Sequence, residues 1–600
     1  MKKIILGLLL LVAVNVHSAT YYFIGSQGGS LATAGNWTTN PSTFTASTVA
    51  PTSVDDVVFN VGAANNTTNT PLYVSLASAN RIYNSVTMVN AGAMTFYRSS
   101  TFTNASNTLE IGSGGFTVAS GAGPVTIGTV TSSTNFGGVT LRSAVNTSIN
   151  NNSTNALTLQ NTLASTATSN GAVVTFTFGG TGTGGYILNS GAENKSSSNT
   201  NNVQVALVMN NANATLAING SSGFSGGFTL NAGTVSLGNS SGLGTGLLTL
   251  NGGTVASAIT SRTVANNILM GGDVTLGGLG YQTTFTGNVD LNGGTRNILL
   301  GNSAIFSGNI SNGGLVVGSS SATRTFTLNG TNTYTGPTVV TNVGLVVNGS
   351  LLSSVTAGTN STVNVNGTIA GSTVSGGTLI VTGAGGNTVV NTGTATVNSG
   401  GTITTATVNG GLLSVNGTAG NVLVNSGGTL GGSGTLGTIT LNGGSLAPGN
   451  SPGLLTAANL DASNGNLKFE LGAPTTRGAT YDAIDVTGLL TLGTNTTWNF
   501  TVVSGYSFQL NDAYDLFNWG TLDTSTLDKN TLLNALPNLD TANTNLAWSV
   551  DSFGIDGTVS VIPEPTAADL ILLPFKIAKA AITLHAELTT ELGAPYNQMD

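Results

Sequence analysis

The chain contains no cysteine, so no disulfide can hold it together and its stability must come from packing and hydrogen bonding. Charge is nearly as scarce: Asp, Glu, Lys and Arg make up 6% of the residues, against about 25% in an ordinary globular domain. The only histidines are His17 and His585, which excludes a Ser-His-Asp triad or a histidine-held metal between them. Seven positive residues between Ala19 and Asn466, with a pI near 4.6, argue against nucleic acid as a partner. Beyond the amino terminus no apolar run is long enough to span a bilayer, and no lysine follows the Gly-x-Gly stretches to make a phosphate cradle.

Glycine and small polar residues fill the space. There are 85 Gly, yet hydrophobic content is 39% and net charge only −8, which is enough apolar material to fold rather than stay disordered. Between 376 and 443 a glycine anchor recurs at Gly376, Gly393, Gly410, Gly427 and Gly443, each followed by a Thr/Val/Leu segment. A period of about 16–17 residues with alternating apolar positions predicts a solenoid of short strands and turns, without helices between them. Leu379 and Val381, Val422 and Val424, and Ile439 and Leu441 are spaced to share one inward face. Asn409-Gly410, Asn416-Gly417 and Asn442-Gly443 are expected to supply the positive φ of tight turns.

The amino terminus reads as a secretory signal. Lys2-Lys3, an apolar run from Ile4 to Val14, and Val16-His17-Ser18-Ala19 form its three zones, with cleavage expected after Ser18 or Ala19. The domain reading is therefore a signal peptide over 1–19, an N-terminal cap with the first strands over 20–100, solenoid repeats over 101–458, a β-rich C-terminal cap resembling a sandwich over 459–562, and a tail over 563–600. Rungs of roughly 17–22 residues predict about 16–21 of them over 101–458.

Few residues here could do chemistry. Between 120 and 460 the acids are Glu193, Asp273 and Asp290, too dispersed for an acid pair unless Asp273 and Asp290 stack on successive rungs. Asp55-Asp56 and Asp482/Asp485, the latter expected at a turn, offer oxygen ligands that could hold calcium. Neither pairing is specific, and no catalytic, cofactor-binding or metal-binding residue is assigned.

Two segments carry resemblances. FSGGFTLNAGTVSLGNSSGLGTGLLTLNGGTV (224–255) and LNGTNTYTGPTVVTNVGLVVNG resemble the autotransporter-associated β-strand repeat, and GGTLGGSGTLGTITLNGGSLAPGNSPGLLT resembles the block that closes such arrays. The likeness implies a right-handed parallel β-helix exported across the inner membrane of a Gram-negative-type bacterium. An autotransporter's membrane barrel has no counterpart after Pro452, where the run of roughly ten-residue alternating strands is missing. Pro563-Glu564-Pro565 resembles the PEP-CTERM sorting signal of secreted proteins in exopolysaccharide-making bacteria. That likeness implies exosortase-type sorting machinery as a partner, although Asp569, Pro574, Lys576 and Lys579 interrupt the stretch where the family has a membrane helix.

Together these readings predict a noncatalytic, secreted β-solenoid of the cell envelope or extracellular matrix, structural, adhesive or associated with exopolysaccharide. The alternative is a carbohydrate-active β-helix enzyme, a lyase or hydrolase, with its acids in the terminal regions.

Overall fold

The computed structural model describes residues 18–25, 28–59, 72–76, 80–99, 107–128, 136–195, 201–525, 527–539 and 545–564. It is all-β, 56% strand and 3% helix, and its dominant sheet is built from parallel strands. The residues form two compact units that divide between Gly371 and Ser372, within the strand Thr368–Val381.

In the N-terminal unit, alternation converts directly into columns. Thr325–Leu328, Gly344–Val347 and Thr362–Val365 each bury every second residue, and they pair in register so that Phe326, Leu345 and Val363 stack, as do Leu328, Val347 and Val365. All six are 0% exposed. Parallel in-register stacking places like side chains above one another and satisfies every strand's N–H and C=O groups through its neighbours. Phe285, Phe306 and Phe326 extend such a column as an aromatic stack, with successive ring centroids 5.0 Å apart and nearly edge to face.

The start of this unit is richer in aromatics. Trp37 is fully buried among Phe23, Phe59 and Tyr83, at centroid distances of 5.2, 5.6 and 6.0 Å, and its indole N–H donates to Leu31 O. Trp37–Thr38 runs antiparallel beside Thr20–Phe23, whose other edge pairs parallel with Asp56–Phe59. A strand that would otherwise offer a bare edge is thereby covered, which discourages pairing with a foreign strand.

The rung spacing departs from expectation. The side-chain links Asn189–Gln160 and Asn219–Asn189 join residues 29 and 30 apart, whereas Asn251–Asn231 and Asn366–Asn348 join residues 20 and 18 apart. Early rungs are longer than 17–22 residues because the segments that connect their stacked strands are longer, as between Ser165 and Val173 and between Gly179 and Tyr186. Inserted loops are thermodynamically tolerated, so they blur the period without breaking the pairing.

In the C-terminal unit the spacing settles to links of 18, 16 and 17 residues between Asn391, Asn409, Asn425 and Asn442. The six residues assigned to the inward face of the repeat, Leu379, Val381, Val422, Val424, Ile439 and Leu441, are all buried. Gly376, Gly393, Gly427 and Gly443 adopt positive φ, but the third anchor is Gly411 (φ 71°) rather than Gly410. Its backbone lies so close to Gly393 that a Cβ would overlap the Gly393 carbonyl oxygen. Of the three Asn-Gly pairs, Asn442-Gly443 supplies a positive φ, at its glycine, whereas Asn409-Gly410 and Asn416-Gly417 do not.

Pairing does not change at 458, where the sequence texture does. Leu454–Leu471 pairs parallel with Ala483–Thr491 and Thr497–Val502, and Ala483–Thr491 with Phe517–Asp523. The aromatic residues of this region thicken the same kind of core instead of starting a sandwich: Phe469, Trp498, Phe500, Phe517 and Phe553 lie in mutual ring contact. A small antiparallel sheet of Ala513–Asp515, Thr558–Pro563 and Leu546–Ser549 follows. The helix Lys529–Ala535 is capped by the Asp528 carboxylate, which accepts from the N–H groups of Asn530 and Thr531.

Candidate functional site

The outward turns carry columns of side-chain amides. Asn366 Nδ2 donates to Asn348 Oδ1, and Asn348 Nδ2 to Asn329 Oδ1, both at 2.9 Å, with Asn329 donating to Ser307 Oγ at 3.3 Å. In the other unit Asn442, Asn425, Asn409 and Asn391 form the same chain at 3.0, 2.8 and 2.9 Å. Each amide donates to the rung before it and accepts from the rung after, which a side-chain amide can repeat because it is donor and acceptor at once. Asn348→Asp should therefore lower the stability of the N-terminal unit by about 1 kcal/mol at pH 7, because a carboxylate cannot donate to Asn329. Urea unfolding would show a smaller loss near pH 3, where the protonated acid can donate again.

The acids weighed as a stacked pair lie on different columns. Asp290 is on the strand Val289–Asp290, opposite Leu269 and Ser311, and accepts from Asn292 N and Asn312 Nδ2. Asp273 precedes Val274–Leu276 and meets Asn297, whose backbone N–H and side-chain amide hold its carboxyl below the usual carboxylate range. Glu193 lies in the strand Ala192–Lys195.

The C-terminal unit has a more concentrated site. The turn Ala447–Ser451 and the parallel pair Leu454–Leu471 and Thr497–Val502 enclose a cleft of about 300 Å³. Lys468 and Glu470 alternate outward on one strand, directly beside Asn499 and Thr501 on the next. Ser451 Oγ donates to Glu470 Oε2 at 2.7 Å. Behind them Asp482, 2% exposed, accepts from Gly453 N on Oδ1 and from Glu470 N on Oδ2, both at 2.7 Å. Burial pushes its carboxyl up to about 7, the Glu470 charge adds to this, and the two backbone N–H groups oppose it.

Asp485 does not share this site. It lies within the strand Ala483–Thr491 and is bound by Arg477 Nη1 at 2.5 Å and Asn518 Nδ2 at 3.1 Å. Arg477 Nε also reaches Asp515 Oδ2 at 3.1 Å, and its Nη2 donates to Ile484 O. Arginine thus takes the place a cation would occupy between Asp485 and Asp515. Asp55 and Asp56 diverge similarly: Asp55 accepts from Ala19 N and Thr52, while Asp56 Oδ1 accepts from Asn84 Nδ2 and Ser85 Oγ. Among the described residues no three metal-ligating side chains converge.

Of the sorting motif, Pro563 ends the strand Thr558–Pro563 opposite Leu546, and Glu564 N donates to Asn545 O. Pro565, His17, His585, the tail beyond Glu564 and the expected signal peptide before Ser18 lie outside the described residues. No helix among the described residues is long and apolar enough to cross a membrane. No known family model matches the chain, and no curated protein matches it.

Proposed function

We propose that the protein is a secreted, noncatalytic right-handed parallel β-helix that acts at the outer cell surface or in the extracellular matrix, as structural or adhesive material associated with exopolysaccharide. The observation that carries this reading is the stacking of parallel strands whose outward positions are mostly Thr, Ser and Asn, tied rung to rung by amide columns. Such a surface is nearly uncharged and dense in hydrogen-bonding groups, which suits neutral or weakly charged glycans. Right-handedness is supported by the twist of L-residue strands, which makes parallel connections in one sheet almost always right-handed. Export and PEP-type sorting rest on the amino-terminal zones and on Pro563-Glu564-Pro565.

One observation favours the enzymatic alternative: the cleft combines Lys468, Glu470 and an acid that titrates near neutrality. Against it, both Asp482 oxygens are engaged by backbone and the residue is sealed from solvent. Purified protein mixed with acidic and neutral polysaccharides should co-sediment with at least one of them and release no new reducing ends or unsaturated products. Turnover that disappears in Glu470→Gln or Asp482→Asn would replace the structural reading with the enzymatic one.

A further inference from the structure

The first hydrogen-bonded residue of the described chain is Ala19. Its N–H donates to Asp55 Oδ1 at 3.0 Å, and its carbonyl accepts from Asp56 N at 2.9 Å, immediately before the parallel pairing of Thr20 with Asp56 begins. Ser18, just before it, is exposed. Asp55 is only 6% exposed, and its Oδ2 is taken by the N–H and hydroxyl of Thr52, both at 2.7 Å. Oδ1 faces the Ala19 nitrogen. Burial raises the Asp55 carboxyl, but the N–H groups of Ala19 and Thr52 with the Thr52 hydroxyl outweigh it and hold the group low, so a buried anion persists at neutral pH. Among the described residues no ion pair involves Asp55. Asp55 is thus a buried anion held by three hydrogen bonds, with no cation beside it.

We infer that the Ser18–Ala19 peptide bond is the processing site, and that the α-ammonium released at Ala19 forms an ion pair with Asp55 in the mature protein. The step is a hydrolysis. Water attacks the Ser18 carbonyl carbon, the C–N bond breaks, Ser18 leaves as a carboxylate, and the Ala19 amine takes up a proton. Cleavage here keeps both Ala19 hydrogen bonds and adds a positive charge where one is missing. Cleavage one bond later would remove both and leave Asp55 Oδ1 and the Asp56 N–H without their partners.

The inference rests on the proposed export, and the tests separate the two. Intact mass and N-terminal sequencing of the exported protein should give Ala19 as the first residue. An exported form beginning at Thr20 would overturn the processing site while leaving export standing, whereas a full-length chain retained inside the cell would overturn both. The pair is tested on purified protein beginning at Ala19, compared with a version carrying Ser18 before it. The extension should raise the unfolding equilibrium constant of the N-terminal unit about tenfold, and should have no effect in an Asp55→Asn background. An extension without effect in the parent would sink the ion pair; because it leaves Asp55 intact, that comparison stands even if Asp55→Asn fails to fold.

Discussion

Phe306→Ala is expected to destabilise the N-terminal unit by about 3–5 kcal/mol, the largest effect of any single truncation considered in that unit. Phe306 is 1% exposed and its ring is the middle one of three, 5.0 Å from Phe285 and 5.0 Å from Phe326. Removing it deletes two edge-to-face contacts, worth about 0.5–1.5 kcal/mol each beyond their buried area, and leaves a cavity between strands tied by ladder hydrogen bonds. Those bonds fix the rung spacing, so collapse into the void is restricted. Phe306→Leu keeps most of the volume and should cost considerably less. Urea unfolding of the full chain, followed for the transition of this unit, would measure both; a loss under about 1 kcal/mol for the alanine variant would mean that the column does not pack as described.

The second large effect concerns pH. The Asp482 carboxyl is raised from its ordinary value to about 7 in the folded protein, mainly by burial, so between about pH 4 and 7 the folded state holds a proton that the unfolded chain has released. The favourable contribution is complete below pH 4 and is lost as pH rises through 7. Stability of the C-terminal unit should therefore fall across that window by up to about 4 kcal/mol. Thermal unfolding at pH 5 and pH 8 would show the higher transition temperature at pH 5. Asp482→Asn should flatten this dependence, while leaving a constant penalty for the backbone N–H that its amide group cannot accept. A profile that stays as steep in the variant would assign the titration elsewhere.

Strand content and the inward face were legible because period-2 alternation is a local property. Leu379, Val381, Val422 and Val424 read as one face and are buried as one face. The glycine anchors were legible for a related reason, since positive φ at Gly376, Gly393, Gly427 and Gly443 is a demand on single residues. At Gly410-Gly411 two glycines stand together, both lie close against a neighbouring carbonyl, and nothing local says that the second takes the positive φ.

The candidate site was much less legible. Asp482 was visible as an acid near a change of texture, but its burial depends on a turn some thirty residues earlier, from which Gly453 donates, and on Glu470 of an intervening strand. Its expected companion Asp485 is three positions away in sequence and belongs to Arg477. Asn409 and Asn442 read only as parts of turns, because Asn-Gly has a strong local preference, and their columns were not visible. Their members stand 16 to 30 residues apart, and nothing local distinguishes an Asn that stacks from one that turns.

By itself the sequence determined that this chain forms strands, which side of each strand is apolar, and that neither disulfides nor histidine chemistry contributes between His17 and His585; these follow from composition and from the two-residue repeat of an extended backbone. Only the tertiary structure decided which rung lies on which, and with it the amide columns, the phenylalanine stack and the enclosure of Asp482. The reason is that stacking register is set by the lengths of the intervening loops, which cost little to vary and, outside the regular repeat of 376–443, leave no fixed period, while every side-chain contact between rungs depends on it.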